Sequence, residues 1–275
     1  MSDLEVFGTP LAEGRTAIIY PWSEGRVLKL FRSWVAPEAI EHEYRINAAI
    51  AQASQQTGAR LPAPGQVERI ELGGRVGILF ERVEGPSAAD VILADPSRAA
   101  EIVCQMAEIQ FAYHQLSLEW LPEAHDWLAK GIHTAQDFPD PYKVITLHLL
   151  ARLPKGIALL HGDFHPLNVL LSPRGAVVID WCNACRGDPL ADVARSFVIA
   201  RVGRPPVDAP KMLLRDSFRR ALANIYLNRY LELSGKTAAD VRPWILPMTV
   251  ARWAERIENE REDLLQLFLE EHALF

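Results

Sequence analysis

The sequence predicts an α+β protein of two lobes, on three observations. Strand-like segments, short and rich in Val, Ile, Leu and Phe, gather in the first third of the chain. Segments with apolar residues at helical spacing dominate the rest, and the change falls near Gly85. At 275 residues the chain is long enough for two lobes rather than one small domain. The division expected is residues 1–84, an antiparallel sheet with one helix, and residues 85–275, larger and mainly helical.

Composition narrows the function classes. Apolar residues make up 49% and charged residues 23%, ordinary for a globular protein. A formal net charge of −6 speaks against a nucleic-acid-binding surface, which would carry a basic excess. The start, Met1-Ser2-Asp3-Leu4-Glu5, has no basic region leading into a long apolar one, so no signal peptide is expected. No run reaches the roughly 18 apolar residues of a membrane span. Three cysteines, Cys104, Cys182 and Cys185, fit no disulfide framework. A cytoplasmic protein with no membrane partner is therefore expected.

In chain order, Thr16–Tyr20 and Val27–Phe31 are predicted strands around a turn at Ser23-Glu24-Gly25, and Leu11–Thr16 is a loop before them. Lys29 lies inside the second strand, so it points opposite to Leu28 and Leu30. Pro37 suits a helix first turn, and residues 38–50 carry apolar positions at helical spacing. Residues 51–64 form a connection. Gln66–Leu72 and Val76–Val83 are predicted strands joined by Gly73-Gly74. Asp95-Pro96 caps a helix with the stripe Ile102, Met106, Ile109 and Tyr113. Trp120–Tyr142 is expected to be irregular. Lys143–Leu153 returns to helix and leads to a strand at Ile157–Leu160. Beyond Asp192 the sequence predicts a helix through Ala200, a loop over 204–210, and a long helix Leu213–Leu233 ended by Gly235. Asp240–Trp253 is expected to be interrupted by Pro243 and Pro247, and Glu255–Leu274 to form a last helix.

One stretch organises the chemistry: His161-Gly162-Asp163-Phe164-His165-Pro166-Leu167-Asn168, answered by Val177-Val178-Ile179-Asp180-Trp181. Val169–Leu171 and Ala176–Ile179 are apolar and strand-like, and Ser172-Pro173-Arg174-Gly175 is a good turn. A hairpin would bring Asn168 and Asp180 together at its open end. An amide oxygen beside a carboxylate is a hard-oxygen pair suited to Mg²⁺ and poor for zinc. Asp163, on the loop leading in, could take a proton from a substrate hydroxyl.

A carboxylate, an Asn five residues on and a later metal-binding Asp is the layout of protein kinases. With H-G-D in place of H-R-D and I-D-W in place of D-F-G, continued by Gly187-Asp188-Pro189-Leu190-Ala191-Asp192-Val193-Ala194, the sequence resembles the aminoglycoside phosphotransferase and choline kinase-like family of small-molecule kinases. The resemblance implies a protein kinase-like fold using ATP and Mg²⁺, with a small-molecule hydroxyl as acceptor. It implies Asp163 as base and Asn168 and Asp180 as metal ligands. Lys29 would hold the α- and β-phosphates and be anchored by a helix glutamate. Glu43 is preferred to Glu41 or Glu38, because Ile46 and Ile50 place it beside the buried stripe. The loop with Gly14 and Thr16 would cover the phosphates, though it departs from the kinase G-x-G-x-x-G. By position, Phe80 would be the gatekeeper, with the Glu81 carbonyl and Val83 amide meeting adenine. His161 would be structural, Asp192 would brace the loop, and the parts of His165 and Asp188 stay open.

Other readings compete. Cys182-Asn183-Ala184-Cys185 has redox or zinc spacing, but no second such pair and no thioredoxin-like pattern surrounds it, so packing is the simpler reading. From Glu255 on, seven acidic residues stand against Arg256 and Arg261. In aminoglycoside kinases such residues gather the drug's amino groups, whereas a solvated helix face is the plain alternative. A nucleotide-binding pseudokinase acting as a binding module is the rival from another class. The presence of Lys29, Asp163, Asn168 and Asp180 together argues against it.

Overall fold

The computed structural model describes residues 8–23, 25–57, 63–65, 67–206, 208–257 and 259–274. Residues 1–7, Glu24, 58–62, Gln66, Val207, Glu258 and Phe275 lie outside the described residues. The chain divides into two compact units: the described residues up to Ser87 together with Asn168–Asn183, and Ala88–Leu167 together with the chain from Ala184.

In the first unit, β1 (Ala12–Glu13), β2 (Ala17–Ser23), β3 (Arg26–Phe31), β4 (Glu68–Leu72) and β5 (Arg75–Glu81) form an antiparallel sheet in the order β1-β2-β3-β5-β4. Helix α1 (Pro37–Thr57) packs on β4 and β5. Alternation along the strands sorts the side chains. Ala17, Phe31, Ile78 and Phe80 pack with Ile40 of α1, while Ile18, Tyr20, Leu28, Leu30 and Leu79 form a second cluster. Strand β5 ends at Glu81, two residues before the expected Val83.

The same unit holds a two-stranded hairpin, β6 (Val169–Ser172) and β7 (Gly175–Val178). It docks where the chain leaves β5: Leu171 N donates to Pro86 O at 2.8 Å, and Ser87 bridges Leu170. Only glycine fits at position 85. Its φ is +146°, and a Cβ there would stand 2.1 Å from Leu171 O.

The second unit is mainly helical: α2 (Ala88–Ala94), α3 (Ala99–Tyr113), α4 (Ala124–Thr134), α5 (Asp140–Leu150), α6 (Pro189–Val202), α7 (Asp216–Ser234), α8 (Ala238–Trp253) and α9 (Arg261–His272). Two short strands, Ala158–Leu160 and Cys185–Gly187, pair antiparallel. The first leads straight into His161.

Several expectations change here. Residues 51–57, expected in the connection 51–64, continue α1. Trp120–Tyr142 is not irregular, since it contains α4 and the start of α5. Ala124, Leu128 and Ile132, four residues apart, are its buried stripe. Pro243 and Pro247 do not interrupt α8. An interior proline costs about 3 kcal/mol. Burial of Val241, Trp244, Ile245, Leu246 and Met248 offsets this, at roughly 1.5–3 kcal/mol for each large side chain. The last helix starts at Arg261, not Glu255. Before it, Arg256 (φ +55°) and Asn259 (φ +67°) turn the chain left-handed. That turn lets Glu255 and Glu260 both reach Arg252, at 2.8 Å each.

Candidate functional site

Candidate residues fall in both units, and each group is complete within its own unit. In the first, Lys29 Nζ donates to Glu43 Oε1 at 2.6 Å and to Asp180 Oδ1 at 2.8 Å. The sequence explains the meeting. Lys29 shares its strand face with Phe31, under α1, and its ammonium lies 5.5 Å from the Phe31 ring. Glu43 is one turn along α1 from Ile40, on the covered face, with Ile46 and Ile50 buried beyond it. Asn47 steadies that turn by donating to Glu43 O at 2.8 Å. Burial would lower the Lys29 pKa, but the two carboxylates outweigh it and raise it. Lys29 is thus a fixed cation.

Asp180 stands at the open end of the hairpin. Its φ of +64° lies in the left-handed region, and the side chain remains 42% exposed. Opposite it, Ile179 N donates to Asn168 O at 2.9 Å, extending the ladder from the Val169–Val178 pair. Asn168 itself is buried. Asn168 and Asp180 therefore stand on either side of the hairpin mouth, and an amide with a carboxylate is a donor pair suited to Mg²⁺. Among the described residues no group of three or more His, Cys, Asp or Glu could hold a metal.

The remaining predicted nucleotide residues are spread around the sheet of this unit. Gly14 and Thr16 flank Arg15 in the loop between β1 and β2, with Gly14 N bonded to Ala17 O at 2.9 Å. Gly14 is not forced by its surroundings, since a Cβ there would meet Ala17 O at an ordinary 3.5 Å. Glu81 ends β5 with its N bonded to Gly65 O at 3.0 Å and its carboxylate paired with Arg174. Val83 follows, half-buried, and Phe80 is buried in the sheet core.

In the second unit, Asp163 lies on the loop after Ala158–Leu160, with a quarter of its side chain exposed. The loop is gripped from α6. Asp192 accepts from His161 N at 3.1 Å and from Gly162 N at 2.8 Å. It also accepts from Gln110 Nε2 at 3.0 Å and Tyr113 Oη at 2.7 Å, and lies 3.2 Å from His114 Nε2. Burial would raise the Asp192 pKa, but these donors hold it below the usual carboxylate range. The carboxylate is therefore kept charged inside the protein, as the brace of the loop. His161 is fully buried, and its Nδ1 accepts from Asp163 N at 3.2 Å. Asp188 accepts from Leu190 N at 2.8 Å, so it caps α6.

Arg195, one turn after Asp192, was not anticipated from the sequence. Its Nε donates to Gly162 O at 3.1 Å, and its Nη2 lies 3.4 Å from Asp163 Oδ1 and 2.6 Å from Glu255 Oε1. A signal was present: opposite charges three apart in an otherwise apolar helix start. His165 Nε2 lies 3.5 Å from Asp163 Oδ2. Burial pushes the Asp163 pKa up, but the His165 hydrogen bond and the Arg195 charge push harder, and it stays below the usual range.

Most of the described carboxyl-terminal acidic residues pair with arginines. Glu260 pairs with Arg252, Asp263 with Arg204 at 2.6 Å, Glu270 with Arg201 and Arg220, and Glu271 with Arg242. The cysteines are free thiols, and burial pushes the pKa of both Cys182 and Cys185 up, away from thiolate chemistry.

The model of the phosphotransferase enzyme family matches residues 10–244. Acyl-CoA dehydrogenase family member 10 of Mus musculus is 28% identical over 183 residues, 58% of this chain. The match spans only 16% of that longer protein. Among solved structures, a thermostable mutant of aminoglycoside phosphotransferase APH(4)-Ia, in ternary complex with AMP-PNP and hygromycin B, superposes with TM-score 0.64 at 17% identity, covering 97% of this chain and 92% of that one. A choline/ethanolamine kinase family protein from Mesorhizobium loti gives 0.60 at 14%, covering 100% and 90%. Aminoglycoside phosphotransferase APH(3'')-Id from Streptomyces rimosus gives 0.54 at 20%, covering 89% and 92%. The fold is therefore the protein kinase-like one of aminoglycoside phosphotransferases and choline kinases.

Proposed function

The chain belongs to the phosphotransferase enzyme family, and we propose that it moves the γ-phosphoryl group of ATP to a hydroxyl of a small molecule. The observation that carries this reading is the pairing of Lys29 with both Glu43 and Asp180, the contact expected of a phosphate-holding lysine beside a metal-binding carboxylate.

Lys29, anchored by Glu43, holds the α- and β-phosphates. The loop with Gly14 and Thr16 covers them, and the Glu81 carbonyl and Val83 amide meet adenine. Asn168 and Asp180 hold Mg²⁺, which when bound neutralises phosphate charge. Asp163 orients the acceptor hydroxyl and takes its proton. Nucleotide binding belongs to residues 1–84 and the hairpin, acceptor binding to the rest of 85–275. In this reading the reaction is mostly positioning and charge stabilisation. The protein works in the cytoplasm, without nucleic acid or membrane partner. Among the described residues no helix is long and apolar enough to cross a membrane.

The acceptor is an aminoglycoside, another amino sugar or an amino alcohol. The test is Mg²⁺-dependent ADP release across a panel of amino sugars, amino alcohols and hydroxy amino acids. Consumption of ATP with one of them, absent in EDTA, is expected. Tight Mg·ATP binding with no turnover on any of them would favour a pseudokinase binding module instead.

A further inference from the structure

We propose that Arg195 is a positioning residue for this phosphoryl transfer, holding Asp163 in its reactive orientation, with Glu255 as the anion that aligns the guanidinium. This rests on Asp163 as the proton acceptor. Asp192 and Arg195, three apart on α6, hold the two peptide groups on either side of Gly162: Asp192 accepts from its amide, and Arg195 donates to its carbonyl. Gly162 between them has φ +76°, a conformation that favours glycine. Arg195 then continues to the Asp163 carboxylate.

The guanidinium is held at Nε and Nη2. Its side chain is 2% exposed, Glu255 lies 2.6 Å from Nη2, and the Trp127 ring lies 5.4 Å from its central carbon. Its Nη1 is buried without a hydrogen-bond partner, so packing alone would favour a smaller or less polar side chain here. Glu255 is in turn held by Arg252, which is clamped by Glu260 at 2.8 and 2.9 Å. The result is a chain of alternating charge, Asp163–Arg195–Glu255–Arg252–Glu260, running from the loop to the turn before α9. The groups facing Asp163 are His161, His165 and Arg195, with the charge of Arg252 farther off.

The experiment compares Arg195→Met, Arg195→Lys and Glu255→Gln with wild type. It uses ATP consumption with water, or with the acceptor found in the panel, and Mg·ATP affinity measured without acceptor. Arg195→Met is expected to lower kcat on the order of 10–100-fold, the usual effect of a displaced reacting group, with Mg·ATP affinity nearly unchanged. Its acid limb of kcat moves to higher pH, because the lost cation no longer favours ionised Asp163. Arg195→Lys restores the charge and much of kcat. If folded Arg195→Met keeps wild-type kcat and pH profile, or if Lys rescues nothing and the acid limb stays put, the role is structural and the proposal fails. Should Arg195→Met not fold, Glu255→Gln decides: a several-fold loss of kcat supports the proposal, wild-type kcat overturns it. Should wild type consume no ATP, the family-based reading fails separately. A carboxyl-¹³C titration of Asp163 then decides whether Arg195 sets its charge: a rise in Arg195→Met that Arg195→Lys largely reverses supports it, and no change in Arg195→Met overturns it.

Discussion

Lys29 Nζ sits between two carboxylates of its own unit, 2.6 Å from Glu43 and 2.8 Å from Asp180. The two differ in burial: the Glu43 side chain is 3% exposed and that of Asp180 42%. Glu43 depends on the lysine for neutralisation, whereas Asp180 keeps access to water and to a metal.

Lys29→Ala is therefore expected to strand a buried charge and cost about 3–5 kcal/mol. The double replacement Lys29→Met with Glu43→Leu removes both charges and regains most of that stability, but not nucleotide binding. Urea unfolding and Mg·ATP titration check the two halves. A double variant that binds Mg·ATP like wild type would remove the phosphate role.

Asn168 and Asp180 should make nucleotide binding metal-dependent. Mg·ATP at 100 times its dissociation constant adds about 2.7 kcal/mol of stability. EDTA or Asp180→Ala should abolish most of the resulting rise in Tm, and Asn168→Ala a good part of it. Asp163→Asn should keep Mg·ATP affinity within a few-fold while turnover falls on the order of 10²–10⁴. Near-full turnover in Asp163→Asn would end the assignment of the base.

Asp192 should make the second unit acid-sensitive. Its pKa in the folded chain is below the roughly 3.9 of an unfolded Asp. As pH falls the unfolded chain takes the proton first, so the stabilisation is fully present above about pH 5 and is lost below it. Asp192→Asn should cost about 3 kcal/mol or more at neutral pH, because hydrogen bonds to a charged acceptor contribute about 1.5–3 kcal/mol each. It should also lose less stability than wild type between about pH 5 and 2. Equal acid slopes in the two proteins would mean that Asp192 is not held ionised as described.

Cys182→Ala with Cys185→Ala should leave Mg·ATP binding and turnover intact, since burial keeps both thiols protonated. Metal analysis of the wild type should find no stoichiometric zinc. Zinc present in the wild type, and lost with activity in the double variant, would contradict this.

Several features were legible in the sequence because local chemistry carries them. A hairpin with a turn at Ser172–Gly175 has to bring Asn168 near Asp180, since β pairing is set by register. Alternation in Val27–Phe31 has to put Lys29 opposite Leu28, and helical spacing puts Glu43 on the face of Ile46 and Ile50. Tertiary structure decided what depends on neighbours distant in sequence. The continuity of α8 through two prolines rests on burial that its own residues do not announce. The start of α9 rests on Arg252 drawing Glu255 and Glu260 to one place. The acidic carboxyl-terminal stretch reads as open charge until Arg201, Arg204, Arg220 and Arg242, all from outside it, pair with Asp263, Glu270 and Glu271. Arg195 became a neighbour of Asp163 only because α6 packs under the loop that carries it. A lone arginine in a helix has no local preference that names its partner; a charge buried within a fold must find one, and the packing of the helices selects which.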